Sequence, residues 1–132
     1  MISRTPSVIA RPFGTRRQAI VSFGDTHMVI GSPMIRDTIS GLSQPNDLLL
    51  ATLVTDCTFA CQDTAQALDI PMTSLTTTAK WNYENGQAII VHLSVNGLMS
   101  EQVERLIEGI QLRAQMYKLL SQVLPISFKM TD

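Results

Sequence analysis

The sequence has no uninterrupted apolar run of about 18 residues, so it carries no segment of the kind that spans a membrane as a helix. Aromatic residues make up only 5% of it and the net charge is −1, which removes any whole-chain electrostatic case for nucleic acid and leaves few stacking platforms. There is no glycine-rich phosphate loop and no nucleophile elbow. The two cysteines, Cys57 and Cys61, lie four residues apart within one predicted helix, where they share a face but are poorly placed for a disulfide. Reduced thiols and a cytoplasmic location are therefore expected. With His27 and His92 on other elements, these cysteines lack metal-ligand spacing, and neither a metal nor a cofactor is called for.

What remains is a chain of 132 residues, 45% hydrophobic and 16% charged, suited to one soluble domain with a real core. Arg4, Arg11, Arg16 and Arg17 precede the first acid, Asp25, so residues 1–17 read as a basic arm and residues 18–132 as the domain. No apolar h-region follows those charges, and a secretory signal is not expected.

Gln18–Phe23 and Thr26–Gly31 are β-prone runs around the turn Gly24-Asp25 and read as a hairpin. Met34 to Pro45 has no period and reads as a loop. A long helix then begins near Asn46 or Asp47, an acid suited to the positive end of the dipole, and stops at about Leu68, ahead of Pro71. Leu75, Thr77, Ala79 and Trp81 alternate on one strand face, and Ile89, Val91, Leu93 and Val95 on another, around the hairpin signal Asn85-Gly86. Ser100 is the expected N-cap of a second helix running from Glu101 to about Leu120, and Leu124 to Met130 a short last strand, confined by Pro125 to an edge or a strand start. The order is that of an α+β fold.

One acid, Asp56, interrupts the apolar and small-residue helix Leu48 to Cys61, which reads as buried on most sides. A carboxylate there needs a partner or a raised pKa. Arg113 interrupts the second helix's stripe Val103, Leu106, Ile110, Tyr117 and is the natural candidate for a buried ion pair.

The segment Pro45-Asn46-Asp47-Leu48-Leu49-Leu50-Ala51-Thr52-Leu53 resembles the Pro-x-Glu-Leu-Leu-Leu-Ala-Ala-Leu signature of the OsmC/Ohr (organic hydroperoxide resistance) family, and the element order agrees from about Gln18 to Met130. The resemblance implies an OsmC-like fold, with an antiparallel sheet and two long helices, in an intertwined homodimer. It also implies thiol chemistry on organic hydroperoxides, with a peroxidatic cysteine on the first long helix and a resolving cysteine on the second. Here the gapless register puts Asp56 at the first cysteine and Arg113 at the second, so the two-cysteine reaction is expected to be lost. The spacing of the Ohr branch instead maps its acid and cysteine onto Asp47 and Cys57, a difference of one residue in register.

Two functional readings follow. In one, Asp56, Arg113 and Asp47 line a pocket at the dimer interface for a small hydrophobic or amphipathic molecule. In the other, Cys57 acts alone as a peroxidatic thiol with an external reductant. A purely structural dimer is the third possibility. The resemblance does not extend to the segment before Gln18, so it assigns no role to any N-terminal arginine.

Overall fold

A computed structural model describes residues 7–12, 14, 17–31 and 44–130. The elements are β1 (Val8–Pro12), β2 (Gln18–Phe23), β3 (Thr26–Gly31), α1 (Pro45–Ala67), β4 (Leu75–Asn82), β5 (Ala88–Val95), α2 (Ser100–Arg113), α3 (Gln115–Leu120) and β6 (Ile126–Met130). The loop expected from Met34 lies largely outside the described residues, as do Arg4 and Arg16. The chain divides into two compact units at Leu49–Leu50.

In the first unit, β1, β2 and β3 form an antiparallel sheet in that order. The hairpin closes in the expected register, with Phe23 opposite Thr26 and Gly24 at φ +61°. β1 is a strand inside the stretch read as an arm: Val8 pairs with Phe23 and Pro12 with Ala19. All of β1 is exposed, so no alternation of apolar and polar residues marks it in the sequence, and pairing with β2 alone makes it a strand.

In the second unit, β5 is the central strand, between β4 and β6. β4 and β5 are antiparallel, with Thr78 opposite His92, but β6 runs parallel to β5. The sheet is therefore mixed rather than antiparallel, because the helical crossover through α2 and α3 returns the chain to the same end of the sheet. Ile89, Val91 and Leu93 are fully buried on one face of β5 and form the core with Leu53, Cys57, Ala60 and Cys61 of α1 and Leu106 and Ile110 of α2. Val95 and Trp81 pack at its edge.

α1 ends where expected. Asp69 takes the left-handed conformation at φ +53°, and the N–H of Ile70 donates to the carbonyl of Ala65 at 2.9 Å, which closes the helix just before Pro71. Only one face of α1 is buried, through Leu53, Cys57, Ala60, Cys61, Thr64 and Ala65, whereas Ala51, Thr55, Phe59 and Gln62 are exposed. α1 and α2 approach closely where Gly109 faces Thr64: a Cβ at residue 109 would lie 2.7 Å from Thr64 Cβ.

Two expectations for the second helix fail. Met99, not Ser100, is the N-cap residue, and its N–H donates to Gln102 Oε1 at 2.9 Å. The helix also breaks at Ala114, whose ψ of 109° separates α2 from α3.

Candidate functional site

Asp56 lies on α1 between the buried core face and the exposed face, half-buried. Its Oδ2 accepts the backbone N–H of Met116 at 2.7 Å. In an unbroken helix that N–H would donate to the carbonyl four residues earlier. Because Ala114 is extended, the first N–H groups of α3 are left without helical partners, and the carboxylate supplies one. Asp56 thus caps α3 from a distant part of the chain. A negative charge at a helix start is also favoured by the helix dipole.

The expected ion pair to Arg113 is not formed. Arg113 ends α2 and is exposed, and on the surface of the same helix it is Arg105 that forms an ion pair, with Glu101 at 3.7 Å. The reason is the break at Ala114, which gives Asp56 a backbone donor in place of a guanidinium.

Cys57, next in sequence, points about 100° away around the helix, into the core. It is 0% exposed, as is Cys61. Burial, then the neighbouring Cys61 and then the charge of Asp56 push the Cys57 thiol up to about 12, and burial pushes Cys61 to about 12. Both are free thiols, protonated at neutral pH, and neither is in the state that attacks a peroxide.

Asp47 belongs to the first unit. It is exposed at the start of α1, where its Oδ2 accepts the N–H of Gln44 at 2.9 Å and its own N–H donates to the Gln44 carbonyl at 3.0 Å. This is helix capping of the kind its position predicted. Of the sequence-derived candidates, only Asp56 and Cys57 are brought together, as chain neighbours pointing apart. Among the described residues no group of His, Cys, Asp or Glu could hold a metal ion.

The first unit also contains a cavity of about 270 Å³ lined by Arg17, Gln18, Ala19, Ile30, Gly31 and Pro45. Gln18 is 7% exposed, and its Nε2 is buried with no hydrogen-bond partner. A buried amide donor left unpaired costs about 1–3 kcal/mol. Sequence reasoning missed Gln18 because glutamine at the start of a strand reads as an ordinary polar residue. Its burial is a product of tertiary packing, which no local sequence signal announces.

Comparison by sequence finds no matching family model and no matching curated protein. Solved structures do match. The organic hydroperoxide resistance protein OsmC of Legionella pneumophila superposes with a TM-score of 0.78 at 14% identity, over 100% of each chain. The OsmC-like protein of Mycoplasma pneumoniae gives 0.80 at 15% identity, over 98% of each. The OhrB organic hydroperoxide resistance protein of Bacillus subtilis gives 0.76 at 14% identity, over 97% of this chain and 98% of that one. The α+β fold is that of the OsmC/Ohr proteins, and no described helix is long and apolar enough to cross a membrane.

Proposed function

We propose that this chain is a divergent OsmC-like protein without the two-cysteine hydroperoxide reductase reaction, and that it binds a small amphipathic molecule through an acceptor oxygen. The observation that carries the first half is the placement of both thiols. They sit one turn apart on α1, fully buried and protonated at neutral pH, while Asp56 caps α3 and Arg113 is exposed. Peroxidatic chemistry needs an accessible thiolate and a second thiol that can reach it. A one-cysteine peroxidase using Cys57 would have to open the core first.

The binding half rests on Gln18, which lines the cavity beside Arg17 and whose side-chain amide is unpaired. The protein acts as a cytoplasmic homodimer in this reading. Dimerisation is supported by exposed apolar side chains on the helices, Phe59 at 57%, Leu112 at 72% and Leu119 at 57%.

The test is consumption of an organic hydroperoxide in the presence of a dithiol by the wild type and by Cys57→Ser. Equal background rates are expected. Turnover that disappears in Cys57→Ser would overturn the first half. For the second half, medium-chain carboxylates should raise the thermal midpoint of the wild type and not of Gln18→Leu.

A further inference from the structure

The face of the second sheet turned away from the helices is built differently from the face that packs on the core. β4 and β5 place Thr76, Thr78 and Lys80 beside His92 and Ser94 there, around a cavity of about 250 Å³. Along this face the pair Thr76 and Ser94 stands at one end and Lys80 at the other, with Thr78 opposite His92 between them. β6 adds another cation, since Lys129 pairs with His92 across the parallel register. Thr78 flanks His92 on its other side, and Lys80 is its diagonal neighbour.

Charge on this sheet is of one sign. β4, β5 and β6 contain no Asp or Glu at all, and both lysines are exposed. No carboxylate on these strands neutralises the two ammonium groups. Lysine ammonium groups only donate, and threonine and serine hydroxyls can donate as well as accept, so the set can satisfy the oxygens of an oxyanion; charge-assisted bonds of this type are about twice as strong as neutral ones. The cavity is smaller than those that take drug-sized molecules, which limits the occupant to a compact group.

We propose that this face binds a small tetrahedral oxyanion of the phosphate type, held by Lys80 with the hydroxyls of Thr76, Thr78 and Ser94, and with Lys129 of β6 adding positive charge beyond His92. The site lies wholly within the second unit and uses none of the residues in the function proposed above. An extended polyanion would need a longer basic track than two lysines on β4 and β6, with β5 between them.

The test is a calorimetric titration of the full chain with inorganic phosphate at low ionic strength, with amide NMR shifts to locate binding. Saturable binding is expected, with shifts confined to β4, β5 and β6. Lys80→Met should weaken it at least about tenfold, Thr78→Val by less, and Lys80→Arg should retain it. Lys118→Met, which changes an exposed cation on α3, serves as the control and should bind as the wild type. Circular dichroism of each variant separates lost binding from lost fold. Failure to saturate, equal affinity in Lys80→Met and the wild type, or binding of heparin without binding of phosphate would each overturn the proposal.

Discussion

Asp56 and Met116 are joined by a 2.7 Å hydrogen bond that spans 60 residues of sequence, from the carboxylate of one helix to the backbone N–H at the start of another. It occupies the position where an ion pair with Arg113 was expected, and it ties the break at Ala114 to α1.

Removing that carboxylate should therefore destabilise the fold more than removing Arg113. Asp56→Ala leaves the Met116 N–H without its acceptor and is expected to cost about 1–3 kcal/mol, with Asp56→Asn losing less because it keeps an acceptor oxygen. Arg113→Ala, at an exposed site, should stay within about 0.5 kcal/mol of the wild type. Urea denaturation of the three variants measures the difference. Equal losses for Asp56→Ala and Arg113→Ala would restore the ion-pair reading.

Gly109→Ala decides a sign. In a helix interior, alanine is ordinarily better than glycine by about 1 kcal/mol. Here the added methyl would overlap Thr64, whose hydroxyl is itself engaged with the Ala60 carbonyl at 2.7 Å. Overpacking of this kind costs about 1–3 kcal/mol, so a net loss of stability is expected. The double variant with Thr64→Ala should lose less than the sum of the singles, which a double-mutant cycle in denaturant would show.

The buried thiols make stability fall on the alkaline side. Both are held near 12 against an ordinary value of 9.0. Below about pH 9 they are neutral in folded and unfolded chains alike, and nothing changes. Above it the unfolded chain ionises them while the folded chain resists, so their contribution is lost as pH rises from 9 towards 12, by up to about 1.4 kcal/mol per pH unit for each thiol. The denaturation midpoint of the wild type should drop more between pH 9 and 10.5 than that of Cys57→Ala/Cys61→Ala. A thiol reagent at neutral pH should label both cysteines quickly only after denaturation.

Asp69 is held at φ +53°, a conformation glycine adopts without cost. Asp69→Gly should be neutral or stabilising by up to about 1 kcal/mol, and Asp69→Val clearly destabilising, as thermal melts would report.

Much of this was legible from local pattern. The period of two in Leu75–Trp81 and Ile89–Val95 fixed which faces are buried, Gly24-Asp25 and Asn85-Gly86 marked the hairpins, and Pro71 marked the end of α1, because each signal is written within a few residues. The Pro45–Leu53 segment pointed to the fold that the solved structures share at about 15% identity. Tertiary structure alone decided the rest. Ala114 carries no proline or glycine to announce a break, β1 has no apolar alternation, and neither the direction of β6 nor the buried amide of Gln18 has a local signature. Propensity and turn chemistry act between near neighbours in the chain, whereas the partner of a carboxylate or an amide depends on which distant segment packing delivers to it.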